Sequence, residues 1–221
     1  MELKLESYPP VLLCGQTGTG KSSCLRNVAD PERVAVLNIE RKIMPSRNAL
    51  RLKSVDITSY KMLQQAMKQA MDSEEYDVIF IDSFSALADM LYRYCKSQFS
   101  GYEIWNMYND MLYEFLQSIK ANKKPVYVTG IPETLEVGFD QKQYVRVKGK
   151  EFKYGGVESN FAIVLFTDPT QDEDTGAMKF RLKTNPNMAN SAKSPEGMFP
   201  EHIDNDTTVI QGLIEEYYGG E

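Results

Sequence analysis

A short stretch near the start of the chain has the residue types and spacing of a phosphate-binding loop. Residues 11–23 read VLLCGQTGTGKSS and contain the pattern G-x-x-x-x-G-K-[ST] in full, after an apolar run that is typical of a strand. Glycines let successive backbone N–H groups turn inward around an anion, the lysine reaches the β- and γ-phosphates, and the hydroxyl that follows binds Mg²⁺. The alternative is a fortuitous glycine-rich turn. The residues predicted to bind nucleotide phosphates are Gly15, Gln16, Thr17, Gly18, Thr19, Gly20, Lys21, Ser22 and Ser23.

Two acidic residues follow other apolar runs. Asp82 ends the run in "VIFIDS", where a buried carboxylate is costly unless a cation faces it, so we predict that Ser22 and Asp82 hold Mg²⁺ together. An N-cap role at the next helix is the alternative for Asp82. Glu40 ends "AVLNIE" and is predicted to orient and deprotonate the attacking water; the alternative is a surface glutamate paired with Arg41 or Lys42.

A later segment combines positive charge with aromatic rings. Within residues 141–155 five cations stand against one acid, and three rings are interleaved with them. Cations that follow a phosphate backbone and rings on which bases stack are what binding of single strands requires. The alternative is a solvated hairpin with ordinary surface lysines. The candidates for DNA binding are Lys142, Tyr144, Arg146, Lys148, Lys150, Phe152, Lys153 and Tyr154.

Three cations alternate in "MKFRLKT", near the end of the chain. On one strand, Lys179, Arg181 and Lys183 would share a face, with the apolar residues between them on the other. We predict that Arg181 and Lys183 act in trans on the γ-phosphate that a neighbouring copy holds, as an arginine finger does. A solvated strand face is the alternative.

The elements that position these residues alternate between strand and helix. "PVLLC", "RVAVLNIE", "SVDIT", "YDVIFIDS" and "PVYVTG" read as strands, and helices are predicted from Lys21 to Ala29, Tyr60 to Met71, Ala86 to Cys95 and in a longer segment that ends near Lys124. Residues 132–156 read as a long loop or hairpin. A C-terminal strand pair, "NFAIVLFTD" with "MKFRLKT", and a helix from Thr207 to Tyr218 follow. The fold class is α/β, with a mostly parallel central sheet flanked by helices, in one domain over residues 1–221.

Composition narrows the class of protein. The 221 residues carry a net charge of −6, which argues against a surface coated with positive charge but allows a local basic groove. No apolar run has membrane length, and residues 1–10 lack the profile of a signal peptide. The three cysteines show no paired spacing and the one histidine stands alone, so we expect a reduced, cytoplasmic protein without a disulfide framework or a zinc site.

Taken together, these motifs resemble the core of a RecA-type P-loop ATPase. "GQTGTGKSS", "LNIE", "VIFIDSFSAL" and "PVYVTG" carry that likeness, and "NFAIVLFTD", "SAKSPEGMF" and "IDNDTTVIQGLIEEYY" resemble more specifically the small phage RecA-like proteins, the fourth type of Sak single-strand annealing protein. The resemblance implies ATP and Mg²⁺ as cofactors, Glu40 as catalytic glutamate, and Thr129 in the place of the residue that senses γ-phosphate, which is a glutamine in RecA.

The resemblance also implies a function and partners. We expect a DNA-dependent ATPase that binds single-stranded DNA and promotes annealing or strand exchange as a homo-oligomer, ring or filament, in the cytoplasm of a host cell if it is encoded by a phage. A single-strand-binding protein is a further expected partner, and a membrane is not. Two alternatives stay open: a nucleotide-gated DNA-binding protein with negligible turnover, and a P-loop kinase acting on a small molecule.

Overall fold

The computed structural model describes residues 7–120, 122–137, 140–145, 147–149, 152, 154–187 and 189–219. Each strand and α-helix predicted between residues 34 and 130 is present. The strands and α-helices are β1 (Val11–Cys14), β2 (Val34–Asn38), β3 (Lys53–Asp56), α1 (Tyr60–Asp72), β4 (Val78–Asp82), α2 (Phe84–Gln98), α3 (Glu103–Lys120), β5 (Val126–Gly130), β6 (Pro132–Val137), β7 (Asp140–Val145), β8 (Ile163–Thr167), β9 (Thr170–Gln171), β10 (Met178–Lys179), β11 (Arg181–Lys183), β12 (His202–Asp204) and α4 (Thr207–Gly219).

The central sheet has eight strands in the order β12-β11-β8-β1-β5-β4-β2-β3. The six strands from β8 to β3 are parallel, and β11 and β12 run antiparallel at one edge. The predicted RecA-like α/β fold class, with its C-terminal hairpin and helix, is confirmed. Because parallel strands end at the same edge of a sheet, the residues that follow β1, β2, β4, β5 and β8 meet there. The extent of one domain over residues 1–221 stays a prediction.

Both faces of the sheet are covered, which explains the continuous apolar runs of its strands. Leu12 and Ile81 point to the face on which α1, α2 and α3 pack, while Leu13 and Phe80 point to the face that carries α4. All four side chains are fully buried. No α-helix in the described part of the chain is long and apolar enough to cross a membrane.

The helix after the phosphate-binding loop is shorter than predicted. The sequence predicts it from Lys21 to Ala29, but the structure has a 3-10 helix over Lys21–Leu25 alone. Side chains from elsewhere bond to the carbonyl groups that a longer helix would use: Thr207 donates to the Cys24 oxygen at 3.2 Å and Asn48 to the Arg26 oxygen at 3.2 Å. Pro31 then restricts the residue before it to extended conformations.

The C-terminal strand pair departs from the prediction in one respect. The predicted single strand "MKFRLKT" is interrupted at Phe180, so Lys179 pairs with Thr170 in a separate two-stranded ribbon, whereas Arg181 and Lys183 belong to the central sheet. At the interruption the Phe180 ring packs beside Gly20, while the Phe180 carbonyl continues the pairing with β12 by accepting from the Asn205 amide at 3.1 Å. The predicted common face of three cations is therefore wrong for Lys179.

Helix α4 is held at its start by a buried cap. The cap is Asp206, whose carboxylate accepts from the Thr208 amide at 2.9 Å and from the Asn27 side chain at 2.6 Å. The second bond ties α4 to the segment after the phosphate-binding loop. The cap therefore stabilises the helix and its position on the sheet.

We predict that Asp206→Ala lowers the free energy of unfolding by about 1–2 kcal/mol, because one helix N–H and the Asn27 side-chain amide lose their acceptor. Urea unfolding measures this. Asp204→Ala is the matched control: its side chain is exposed and should change stability by less than about 0.5 kcal/mol. Equal losses in the two variants would contradict the assignment of the cap.

Candidate nucleotide-binding site

The loop between β1 and the 3-10 helix has the backbone shape that an anion cradle needs. Gly18 and Gly20 have φ angles of 83° and 97°, which side chains other than glycine rarely adopt. At Gly15 the requirement for glycine is steric, because an added Cβ would lie 1.9 Å from Thr167 Oγ1. The glycines of the motif are thus required by conformation and by close approach.

Distant parts of the chain hold this loop in place. Gln16 donates from its side chain to the Pro132 carbonyl at 2.9 Å, Thr167 donates to the Thr19 hydroxyl at 2.6 Å, and Asn205 donates to the Gly20 carbonyl at 2.7 Å. Asn205 is fully buried, and its side-chain oxygen has no hydrogen-bond partner among the described residues. The cradle is therefore fixed by β8, the start of β6 and the segment before α4.

Lys21 lies under the loop and bonds to it. Its ammonium group donates to the carbonyl oxygens of Gly15 and Gln16 at 2.7 and 2.9 Å. Burial lowers the pKa of Lys21, and the nearby carboxylates of Asp82 and Glu40 oppose that shift. The lysine is thus placed at the centre of the loop, where phosphate oxygens can replace the carbonyl groups as its acceptors.

Ser22, Asp82 and Thr129 form a hydrogen-bonded set at the ends of β4 and β5. Ser22 donates to one carboxylate oxygen of Asp82 at 2.9 Å, and Thr129 donates to the other. A hydroxyl and a carboxylate are hard oxygen ligands, and Mg²⁺ commonly takes only one or two such protein ligands beside substrate phosphates. The pair fits the predicted Mg²⁺ site. No cluster of three or more His, Cys, Asp or Glu in the described residues offers another metal site.

The burial of Asp82 has an electrostatic consequence. Burial raises the pKa of the Asp82 carboxyl group, and the hydrogen bonds from Thr129 and Ser22 limit the rise. A bound divalent cation would favour the charged form. The predicted alternative, an N-cap on α2, belongs instead to Ser83, whose hydroxyl accepts from the Ala86 amide at 3.3 Å.

Glu40 lies beside this set, with both oxygens engaged. Ser83 donates to one oxygen at 2.8 Å and Lys42 donates to the other at 2.7 Å. Burial alone would raise the pKa of Glu40, but these bonds and the charge of Lys42 hold it below its usual value. The carboxylate is therefore ionised at neutral pH. The predicted pairing with Lys42 and the predicted position near the phosphate loop occur together.

These groups line one cavity of about 350 Å³. The predicted residues that line it are Thr17, Gly18, Gly20, Lys21, Ser22, Ser23, Glu40 and Asp82. Lys42, Ile43, Pro45, Ile131 and Phe180 complete the lining in the structure. Thr129 is fully buried and contacts Asp82 rather than the cavity, so it acts on the site through that carboxylate.

The predicted trans-acting residues lie at the other side of the loop. Arg181 opens β11, directly after Phe180, and Lys183 forms an ion pair with Asp168 at 3.3 Å. His202 Nε2 lies 3.2 Å from the other carboxylate oxygen of Asp168. Arg181 thus lies at the carboxyl edge of the sheet, while Lys183 lies further back with an acidic partner in its own chain.

The predicted DNA-binding residues fall into two groups. Lys142 and Tyr144 lie on the hairpin β6–β7, with the Lys142 ammonium group 5.8 Å from the Tyr144 ring centroid. The others that the structure describes pack against the helices: Lys148 pairs with Asp89 at 2.8 Å, Phe152 packs on the core, and Tyr154 stacks on Tyr113. Arg146, Lys150 and Lys153 lie outside the described residues.

Several residues of the site were not among the predicted ones, and three of them have defined roles. Phe180 lines the cavity, Lys42 bonds to Glu40, and Asn205 supports the loop. The sequence indicates Lys42 only as a possible surface ion-pair partner of Glu40, because it lies two residues further along the chain. Nothing in the sequence pattern indicates that Phe180 and Asn205, more than 150 residues away, come to the loop.

A family model matches most of the chain, including the residues of the site. Residues 7–195 match the family model described as "AAA domain". Among solved structures, the chain is similar to a KaiC-like protein from the hyperthermophilic archaeon Pyrococcus horikoshii OT3, with 16% sequence identity, a TM-score of 0.44, and coverage of 79% of this chain and 77% of that chain. No curated protein matches the sequence significantly. The family match includes the phosphate loop, Glu40 and Asp82.

We predict that Thr129→Val lowers the free energy of unfolding by about 2 kcal/mol at neutral pH, because the buried Asp82 carboxylate loses a hydrogen bond to a charged group. Thr129→Ser keeps the hydroxyl and should lose only about 1 kcal/mol, the cost of one methyl group. Urea unfolding without nucleotide compares the two.

The pH dependence of the free energy of unfolding tests the same Thr129–Asp82 hydrogen bond in a second way. Since the Thr129 hydrogen bond lowers the pKa of Asp82, its loss raises that pKa further. The penalty in the valine variant should be present at neutral pH and narrow as the pH falls through the raised pKa of Asp82, first in the folded variant and then in the folded wild type. Both values lie above the ordinary aspartate value of about 4, so the narrowing should be nearly complete by that pH. A valine variant as stable as the serine variant would contradict this role of the hydroxyl.

Proposed function

The chain belongs to the AAA domain family, and on that premise we propose that it hydrolyses ATP and binds single-stranded DNA, whose annealing or strand exchange it promotes. The observation that carries the first part is the convergence of Lys21, Ser22, Asp82 and Glu40 on one cavity at the carboxyl edge of a parallel sheet. Open α/β sheets bind their ligands at this edge.

Each residue of the site has a role in this proposal. The backbone N–H groups of the loop and the Lys21 ammonium group bind the phosphates and balance the negative charge that grows in the transition state. Ser22 and Asp82 would hold Mg²⁺, which neutralises phosphate charge when bound. Glu40 orients a water molecule and accepts its proton. Each oxygen of Glu40 accepts one bond, from Lys42 or from Ser83, and keeps a second lone pair that can accept the proton.

The proposal of DNA binding is supported by the hairpin β6–β7, which directly follows β5. Lys142 and Tyr144 are partly exposed there and bring a cation and a ring together, as binding of single strands requires. In contrast, the ring of Tyr154 is 4.2 Å from that of Tyr113, and its hydroxyl donates to Asp110. We therefore assign the DNA contact to the hairpin and a packing role to Phe152 and Tyr154.

One observation favours a second candidate function, a P-loop kinase that acts on a small molecule. A cavity of about 660 Å³ adjoins the nucleotide cavity and shares Glu40, Lys42 and Ile131 with it. Its volume suits a small acceptor, and Arg93 and Tyr60 also line it. Release of inorganic phosphate without a phosphorylated second product distinguishes the ATPase from the kinase.

We predict that Lys21→Ala weakens MgATP binding at least about tenfold, because a charge-assisted hydrogen bond contributes about 1.5–3 kcal/mol. Glu40→Gln should keep nucleotide affinity and lower single-turnover hydrolysis about 10²–10⁴-fold, the usual contribution of a general base. Isothermal titration and single-turnover assays, with and without single-stranded DNA, measure the two effects.

Matched controls lie on exposed surface. Lys68→Ala and Glu103→Gln remove the same charges from α1 and α3 and should change neither quantity. Unchanged MgATP affinity in the Lys21 variant would refute the assignment of the site. Unchanged hydrolysis in the Glu40 variant, with binding intact, would favour the alternative in which the nucleotide only gates DNA binding.

For the hairpin, we predict that Lys142→Ala weakens the salt dependence of binding to single-stranded DNA. The slope of log K against log[salt] should become less negative by about 0.7, the value for one lost phosphate contact. Tyr144→Ala should cost about 1–3 kcal/mol of binding free energy if its ring stacks on a base. Fluorescence anisotropy with an oligothymidylate over a range of salt measures both, with Lys61→Ala on α1 as the control. Salt slopes equal to that of the wild type would remove the hairpin from the proposal.

A further inference from the structure

The nucleotide cavity is lined by one lysine from the phosphate loop and by a second lysine from outside it. Lys21 bonds to the loop itself, whereas Lys42 follows β2 and bonds to Glu40. We propose that Lys42 binds the terminal phosphate of the triphosphate and thereby distinguishes ATP from ADP within a single copy of the chain. The inference concerns the site already described and rests on the proposed function.

The turn after β2 returns Lys42 to the edge of the sheet. Asn38, the last residue of β2, is 4% exposed, and its side-chain amide donates to the Lys42 carbonyl at 2.9 Å and accepts from the Lys42 N–H at 3.4 Å. Inside this turn Arg41 has a φ angle of 55°, which residues other than glycine seldom adopt. Such conformations persist where the surrounding structure holds them and are concentrated at functional sites. The main chain of Lys42 is therefore held in a defined place.

The ammonium group lies at the end of the cavity where the terminal phosphate would be bound. It is 2.7 Å from one carboxylate oxygen of Glu40, the residue proposed to orient the attacking water. The bond and the charge of Glu40 raise the pKa of Lys42, and the charge of Asp82 adds to the rise. Lys42 is thus charged at neutral pH and close to both carboxylates of the site. Because the water attacks the terminal phosphate, a cation bonded to Glu40 lies beside that phosphate rather than beside the nucleoside.

The balance of charge in the cavity favours this contact. Its described lining has two ammonium groups, Lys21 and Lys42, and two carboxylates, Glu40 and Asp82. A triphosphate with one Mg²⁺ still brings net negative charge, which these four side chains alone must accommodate. The Lys42 side chain is 74% exposed, so its ion pair with Glu40 is weak and its stem can turn. An ammonium group has three N–H donors, so Lys42 can bond to a phosphate oxygen and to Glu40 together.

The contact depends on the presence of the third phosphate. ADP ends one phosphate earlier, so Lys42 keeps Glu40 as its acceptor and contributes little to binding. With ATP, the same cation would also balance the charge that grows on the terminal phosphate during hydrolysis. The sequence analysis assigns that role to Arg181 and Lys183 of a neighbouring copy, but neither of them lines the cavity in the part of the chain that the structure describes.

Binding measurements without turnover test the contact. The probes are ADP and the β,γ-imido analogue of ATP, both with Mg²⁺, and isothermal titration gives the ratio of the two affinities. Lys42→Ala should lower affinity for the analogue at least about tenfold, the effect of losing one charge-assisted hydrogen bond. Affinity for ADP should fall less than about threefold, because an exposed charge acts weakly beyond direct contact. Lys42→Arg keeps the charge and should keep most of the ratio.

A neighbouring cation provides the matched control. Arg41→Gln removes the same charge from the same turn, but Arg41 lines the adjoining cavity and not the nucleotide cavity. This variant should change the ratio less than about twofold, since only a screened field is lost. An equal fall of the ratio in the Arg41 and Lys42 variants would mean that the field alone acts, and the proposed contact would be wrong.

Chemical rescue tests the ammonium group itself. The native residues Cys14, Cys24 and Cys95 are buried, so 2-bromoethylamine should alkylate the exposed thiol introduced by Lys42→Cys selectively. The product carries an ammonium group on a side chain of nearly the length of lysine. Lys42→Cys should lose the ratio as Lys42→Ala does, and alkylation should restore it. Circular dichroism confirms that each variant folds.

Each remaining outcome decides the matter. If Lys42→Ala binds both nucleotides with the ratio of the wild type, Lys42 does not bind the terminal phosphate, while the proposed function stands. A ratio that stays low after alkylation overturns the role of the ammonium group. A wild type that binds neither nucleotide overturns the inference together with the proposed function. The two failures are therefore distinguishable, because the ratio is measured without hydrolysis.

Discussion

The burial of the Asp82 carboxylate at the end of β4 is the constraint on which the site depends. A charge in that position is costly unless hydrogen bonds stabilise it, and other elements of the fold donate such bonds to Asp82. Ser22 and Thr129 donate to its two side-chain oxygens, while its main-chain oxygen accepts from the amides of Ile39 and Glu40 at 2.7 and 3.1 Å. One residue thereby connects the phosphate loop, β5 and the end of β2, so the group that would hold the metal also fixes the position of Glu40.

The phosphate loop is a product of tertiary structure as much as of its own sequence. Its hydrogen bonds to Pro132, Thr167 and Asn205 span 116, 148 and 185 residues of chain. The 3-10 helix that follows is too short to stabilise the loop alone, since helices of one turn are marginal without packing. The antiparallel strands and α4 at the far end of the chain therefore contribute directly to the shape of the cradle.

The sequence was sufficient wherever strand order alone decides position. Asp82, Glu40 and the glycine loop lie at the carboxyl ends of β4, β2 and β1 of one parallel sheet, so their meeting at one edge follows from the α/β pattern. The sequence does not predict where a side chain packs when two environments suit its residue type equally well. Tyr154 has the composition of a base-stacking residue, yet its ring is placed on Tyr113 by packing that no local pattern records. Phe180 likewise reads as the apolar side of a strand but turns to Gly20, because the strand breaks there.

The two bonds that hold the Glu40 carboxylate differ in strength. Ser83 is buried, so its bond to Glu40 is hard to replace, whereas the Lys42 side chain is 74% exposed and its ion pair is correspondingly weak. A phosphate anion in the cavity would compete for Lys42, which lines the cavity beside Glu40. Since the bond and the charge of Lys42 lower the pKa of Glu40, loss of that ion pair would make the carboxylate a better proton acceptor. The lysine that restrains the base thus lies beside the proposed phosphate site.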